Sequence, residues 1–254
     1  MTIIRPQDAY HKSQMLRLLT ALADDPFLAQ ELYFKGGTCA SMLGYLDRFS
    51  VDLDFDLRDE EKTPEIRKHL KDIFKNINLE IKDESPKVLE FLLRYEAPKN
   101  ERNSLRIDVV GIKYQENKYE PKLLSEIDRV LNCQTKETMF SHKLVAVTER
   151  FAKHGSIAGR DIYDVHYFFL NGIKFIPGLI KERTGKDVLP YLQTLNLFIK
   201  ENITTELLVS DLGTLLPSEK MKMVKNNLLS ETTMFIEDEI RRLTNFNLKN
   251  FNAI

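Results

Sequence analysis

The hydrophobic pattern predicts an α+β protein with its sheet in the first half of the chain. Three observations carry that expectation. Residues 51–57, VDLDFDL, alternate strictly between apolar and acidic, which is the period of two of a strand with one buried face. NINLEIKDES, VLEFLLRYEA and SLRIDVVGIK read as three further strands, with KNERN at 99–103 as a polar connection between the last two. From about Glu137 the apolar period becomes helical and stays so. We therefore expect two domains, a mixed core over 1–135 and a helical domain over 136–254, with the boundary near 130–137.

The elements follow in chain order. Ser13 to Gln30 carries Leu16, Leu18, Leu19, Leu22 and Ala23 in a helical stripe, with Ser13 as its expected N-cap. LYFKGGT is a short apolar strand running into a glycine turn, and CASMLGYL reads as the helix after it. Thr63 to Asn76 is predicted helical because Pro64 occupies its first turn with Glu65 behind it. ETMFSHKLVAVTERFAKHG is the first helix of the second half, and RDIYDVHYFFLNG is the next, closed by Gly172.

Composition narrows the classes of function. Across 254 residues, 43% are hydrophobic and 30% charged, so a folded globular chain is expected rather than a disordered one. Lys plus Arg number 37 against 38 Asp plus Glu, so any nucleic-acid contact must be a local basic patch. No apolar run approaches the roughly 20 residues needed to span a bilayer, and MTIIRPQDAYHKSQ has no signal-like apolar stretch. Two cysteines, Cys39 and Cys133, cannot build a disulfide framework or a four-thiolate zinc site. The expected setting is the cytoplasm, with reduced thiols and no membrane partner.

The richest segment is KGGTCASMLGYLDRFSVDLDFDL, residues 35–57. Asp52, Asp54 and Asp56 fall on one face of the strand, with alternate residues about 6.6–6.8 Å apart. Such carboxylates repel unless a cation or basic groups intervene. Their hard oxygens suit Mg²⁺ or Mn²⁺, and a pair of ions could clamp an in-line phosphoryl displacement. The alternative is an amphipathic strand whose acidic face is simply wet. Upstream, Gly36 and Gly37 would let backbone N–H groups approach a phosphate, with the Thr38 hydroxyl as an added donor; otherwise the Gly-Gly-Thr is only a turn. Asp108 is the one acidic residue in LRIDVVG. A lone buried carboxylate is costly, so it pairs either with the acidic strand as neighbour or with Arg106, Arg94 or another basic group.

This set resembles the nucleotidyltransferase superfamily that includes DNA polymerase β. More closely, Lys35-Gly36-Gly37-Thr38 followed by Arg48-Phe49-Ser50-Val51-Asp52-Leu53-Asp54-Phe55 resembles the signature of the AbiEii-type nucleotidyltransferase toxins. These are the toxin halves of type IV toxin–antitoxin and abortive-infection systems. Lys143-Leu144-Val145-Ala146 and Arg160-Asp161-Ile162-Tyr163-Asp164-Val165 are similar to the family's Lys-Leu helix and Arg-Asp-x-x-Asp helix.

The resemblance implies a nucleotidyltransferase-like mixed sheet with flanking helices, a helical C-terminal domain, and an active-site cleft between the two. It implies transfer of a nucleoside monophosphate from a nucleoside triphosphate to an acceptor hydroxyl, which could be a tRNA 3′ end, and a cognate antitoxin. Asp52, Asp54 and Asp108 are then the metal ligands, with Asp108 able to serve instead as base. Lys35, Gly36, Gly37, Thr38, Arg48 and Ser50 attend the nucleotide, although Arg48 could instead neutralise the acidic strand and Ser50 could orient Asp52. Lys143 contacts its phosphates, where otherwise it is a snorkelling surface lysine. On the Arg-Asp helix Asp161 is preferred as the functional carboxylate, although a place near the helix start also explains it. Asp164 is the nucleotide-binding alternative, or a partner of Arg160 or Arg150. Asp56 is read as solvated or supporting. His142, His154 and His166 lack zinc-helix spacing and read as ordinary histidines. Tyr163, Tyr167, Phe168 and Phe169 read as core rather than a base-stacking platform. A small-molecule nucleotidyltransferase and a non-catalytic nucleotide-binding module are the competing functions.

Overall fold

A seven-stranded mixed sheet organises the first half of the described chain. Its strands are β1 (Leu32–Lys35), β2 (Asp52–Leu57), β3 (Glu80–Glu84), β4 (Leu89–Arg94), β5 (Ser104–Gly111), β6 (Tyr119–Leu124) and β7 (Arg129–Gln134), in the order β3-β4-β5-β2-β1-β7-β6. The acidic strand β2 is central, antiparallel to β1 and parallel to β5. The computed structural model describes residues 6–99 and 101–251. It divides into two units, Met1–Thr135 and Lys136–Ile254.

Alternation along the strands builds the core of the first unit. Phe34, Leu53, Phe55, Phe91, Ile107 and Cys133 are fully buried on one face, and the Phe34 and Phe55 rings meet at 5.1 Å. The helices α1 (Pro6–Asp24), α2 (Pro26–Glu31), α3 (Gly36–Met42) and α4 (Thr63–Asn76) complete this unit. Leu18, Leu19, Leu22, Ile66, Leu70 and Phe74 are buried from α1 and α4, and Phe74 meets Phe91 edge-on at 5.3 Å. Each such side chain contributes about 1.5–3 kcal/mol of transfer free energy. The opposite face of the sheet carries Lys35, Asp52, Asp54, Asp56, Arg106 and Asp108.

Three expectations need correction. The helix over 13–30 is two helices, and Ser13 lies inside α1. The break falls at Asp25-Pro26, where Pro26 starts α2 and the Asp25 carboxylate accepts from the N–H groups of Phe27 and Leu28, both at 2.9 Å. The helix expected over CASMLGYL begins earlier, at Gly36, and ends at Met42. The hairpin of β6 and β7 was not anticipated. The connection over 99–103 contains Asn100, and the chain's start includes residues 1–5; these lie outside the described residues.

The second unit is helical throughout its described length: α5 (Lys136–His154), α6 (Gly159–Leu170), α7 (Pro177–Thr184), α8 (Val188–Asn202), α9 (Thr205–Leu212), α10 (Ser218–Asn226) and α11 (Leu228–Phe251). Leu144, Val147, Ile162, Tyr163, Val165 and Phe168 are buried, and the Phe140 and Phe168 rings stack at 5.1 Å. Gly172, at φ +64°, closes α6 by donating its N–H to the Phe169 carbonyl at 2.9 Å. No described helix is long and apolar enough to cross a membrane.

Candidate active site

Strand register sets the polar face of the sheet. Glu90 on β4 lies opposite Asp108 on β5, Asp108 opposite Asp54 on β2, and Asp54 opposite Lys35 on β1. In the adjacent row Leu92 lies opposite Arg106, and Arg106 opposite Asp52. Three aspartates from two separate stretches of sequence thus share one face of neighbouring strands, with one arginine set among them.

The glycine turn abuts this face. Gly36 has φ +77°, and a Cβ there would sit 2.2 Å from Asp54 Oδ2, so both conformation and space demand glycine. A Cβ on Gly37 would sit 2.8 Å from Ser50 Oγ and 3.0 Å from Arg48 Nη2. Thr38 is buried, and its hydroxyl donates to the Asp52 carbonyl at 2.5 Å. That proton is committed to tying the turn to β2, which corrects the reading of this hydroxyl as a ready phosphate donor. Arg48 is also buried; its Nη1 donates to the Phe49 carbonyl at 3.0 Å, while Ser41 Oγ donates to the Arg48 carbonyl at 2.9 Å.

Of the two readings of Asp56, solvated or supporting, the structure agrees with the second. Asp56 is 3% exposed, not solvated. Its Oδ1 pairs with Lys35 Nζ at 2.6 Å, and its Oδ2 accepts from the Tyr119 hydroxyl at 2.6 Å and Gln134 Nε2 at 3.0 Å. A buried carboxylate needs such satisfaction, so Lys35, Tyr119 and Gln134 form its socket. Burial and the neighbouring Asp56 carboxylate together push the Tyr119 hydroxyl far up.

Asp52 and Asp54 are half-buried. Two carboxylates alternating on one strand, beside a turn stripped of side chains, are a donor set that fits a hard divalent cation. Asp108 is engaged elsewhere: Arg106 Nε donates to its Oδ1 and Oδ2 at 3.2 and 3.0 Å, and Arg106 Nη2 donates to Glu90 Oε1. Burial pushes the Asp108 carboxyl up, and Arg106 opposes that shift. Among the described residues, no three His, Cys, Asp or Glu side chains are gathered as a metal-ligand set.

Behind β2, His11 fixes the entry to the strand. It is fully buried, with Nε2 2.9 Å from the Val51 carbonyl and Nδ1 2.6 Å from the Tyr95 hydroxyl. A carbonyl can only accept, so the proton is assigned to Nε2 and the hydroxyl donates to Nδ1. Burial pushes the ring down to about 4, so it is neutral at pH 7.

In the second unit Lys143 on α5 meets both candidate carboxylates of α6. Its Nζ is 2.9 Å from Asp161 Oδ1 and 2.8 Å from Asp164 Oδ2, and Arg150 Nε is 3.3 Å from Asp161 Oδ2. Asp161 and Asp164 are 1% and 0% exposed, so neither is a surface group capping or decorating its helix. Residues at i and i+3 share a helix face, and here both pair with one lysine. Burial works to raise the Asp161 carboxyl, but Lys143, Arg150 and Arg160 outweigh it and hold it low. His142 Nδ1 accepts from Arg183 at 2.7 Å, His166 pairs with Glu231 at 2.7 Å, and His154 is exposed.

The sequence pattern points to Arg106 only as one partner for Asp108 and gives no sign of Glu90, Tyr119 or Gln134, while Arg150, expected beside Asp164, pairs with Asp161. An arginine two residues before an aspartate on one strand face was the available signal for the first. The others depend on register.

A family model described as nucleotidyl transferase AbiEii toxin of type IV toxin–antitoxin systems matches residues 17–222. In fold the chain is similar to JHP933 from Helicobacter pylori, at 21% identity and a TM-score of 0.57 over 99% of both chains. It is also similar to MenT4, a nucleotidyltransferase toxin from Mycobacterium tuberculosis H37Rv, at 15% identity and a TM-score of 0.53 over 93% of this chain and 87% of that one. Among curated proteins none matches the sequence significantly. The family match takes in the glycine turn, the β2 carboxylates and the Lys143 and Asp161 helices alike, and the chain belongs to the AbiEii nucleotidyltransferase toxin family of type IV toxin–antitoxin systems.

Proposed function

We propose that this nucleotidyltransferase uses the Asp52–Asp54 face to move a nucleoside monophosphate from a nucleoside triphosphate to a hydroxyl of an RNA acceptor, a tRNA 3′ end being the acceptor the toxin role favours. The observation that carries the reading is the contact of turn and strand. Gly36 abuts Asp54, Thr38 is tied to Asp52, and Gly37 abuts Ser50 and Arg48. Glycines at that seam let the turn's backbone come up against the carboxylates, where its N–H groups would meet a triphosphate.

Asp52 and Asp54 would hold Mg²⁺ or Mn²⁺, with Asp108 as the third oxygen ligand or as the base that takes the acceptor's proton. Such an ion, when bound, supplies Lewis-acid polarisation of the α-phosphate and offsets charge on the departing pyrophosphate. The Gly36-Gly37 turn cradles phosphate, with Arg48 and Ser50 beside it. Lys35 acts mainly through Asp56, neutralising the strand from within. Lys143 is assigned to charge on the triphosphate, and Asp161 and Asp164 position it. Membership in a type IV family implies a nucleotide substrate and an antitoxin partner.

The test is incubation with each labelled nucleoside triphosphate in turn, with Mg²⁺ and with or without total RNA. Label should enter RNA from one nucleotide and only when RNA and the divalent ion are present. Transfer without RNA points to a small-molecule acceptor, and binding without transfer points to a nucleotide-binding module. In cells, Asp52→Ala should relieve growth arrest; equal arrest by that variant contradicts the reading.

A further inference from the structure

We propose that Arg106 is a positioning residue that competes with the divalent cation for Asp108, holding that carboxylate aside until the ion arrives. The inference deepens the proposed function and rests on its metal reading.

Three features of the sheet carry it. Register places Arg106 directly across from Asp52 and two residues before Asp108 on the same face, so its guanidinium lies among the carboxylates assigned to the ion. Its Nε spans both Asp108 oxygens, at 3.2 and 3.0 Å, while its Nη2 reaches Glu90. Both oxygens that would ligate a cation therefore face one positive charge. Consistent with this, Asp108 lies beside Asp54 by register and yet the three carboxylates do not gather as a ligand set among the described residues.

The guanidinium also has an alternative resting place. Arg106 is half exposed, and it lines a pocket of about 320 Å³ together with Asp83 and Glu90, while the Glu84 carboxylate beside it is held by Arg67 and Lys71. Released from Asp108, the arginine keeps Glu90 and stays beside that pocket. A planar fork suits this double grip on Asp108 and Glu90, and a lysine cannot reproduce it. The arrangement protects the protein from carboxylate repulsion before the ion binds, and it makes the third ligand available only by exchange of one cation for another.

The test measures Mn²⁺ binding directly, by titration calorimetry or by the loss of the free-ion electron paramagnetic resonance signal, on the full chain without nucleotide. Arg106→Gln should bind Mn²⁺ about tenfold more tightly than wild type, since a competing charge has gone. Arg106→Lys should fall between the two and serves as the readout if Arg106→Gln does not fold. In an Asp108→Asn background the Arg106→Gln effect should shrink to less than about twofold. Unchanged or weaker binding by both Arg106 variants overturns the proposal, as does an undiminished effect in the Asp108→Asn background. Wild-type protein that takes up no Mn²⁺ at all overturns the parent metal reading, a distinguishable failure.

Discussion

The two carboxylate clusters are built on opposite electrostatic plans. On the sheet, Asp52 and Asp54 are half-buried on adjacent pleats of β2 with Asp108 alongside, so like charges are crowded where solvent and ligand can reach them. On the helices, Asp161 and Asp164 are buried and pair with Lys143, with Arg150 in support. Partial exposure with crowded charge suits an ion from outside; burial with internal compensation suits fixing one lysine. Under the proposed function the first plan trades stability for chemistry, and the second secures the geometry of a basic group.

Substitution should separate the plans. The largest expected effect is Asp54→Asn, which should lower nucleotide transfer by about 10³-fold while changing the melting temperature less than loss of a fully buried carboxylate does, because Asp54 is half-buried. Asp164→Asn should do the reverse in emphasis. Removing one partner of a buried ion pair costs about 3–5 kcal/mol, so chemical denaturation should show a clear loss of stability. If the two variants lose stability equally, the contrast between the clusters is wrong.

A third effect sharpens what holds β2 in place. His11 has its folded-state value near 4 against an ordinary 6.5. The neutral ring is the form the fold favours, so its contribution is complete above pH 6.5 and is lost as pH falls toward 4. Unfolding measured across that window should lose up to about 3 kcal/mol, and His11→Gln should flatten that part of the profile. The smallest effect is expected for Tyr119→Phe, which deletes one donor to buried Asp56 and should cost about 1–2 kcal/mol. A transfer defect larger than its stability loss would show that Asp56 does more than support the strand.

What was legible in the sequence was local. The alternation of 52–57, the Pro64 start of α4 and the Gly172 stop of α6 are each set by neighbouring residues, and those elements stand where the pattern puts them. The α1–α2 break escaped because the apolar stripe runs on through Asp25-Pro26 and masks the cap. Strand β6 contains Pro121 and an exposed Leu123, features an edge strand tolerates but which weaken its signature. At the site, residue types were readable, whereas partners were not. Nothing in the order of residues fixes Asp108 beside Asp54 or aligns Glu90 with Asp108, because register is settled by packing of the whole sheet. The helical i,i+3 spacing did place Asp161 and Asp164 on one face. That both converge on Lys143 follows from how α5 packs on α6.

The central claim is that the β2 carboxylates carry the chemistry. The direct measurement is transfer of label from an α-phosphate-labelled nucleoside triphosphate into RNA, comparing wild type with Asp52→Asn and Asp54→Asn at matched folded fractions. The account predicts divalent-ion-dependent incorporation by wild type and its near-complete loss in both variants. Incorporation at wild-type rates by either variant would contradict it.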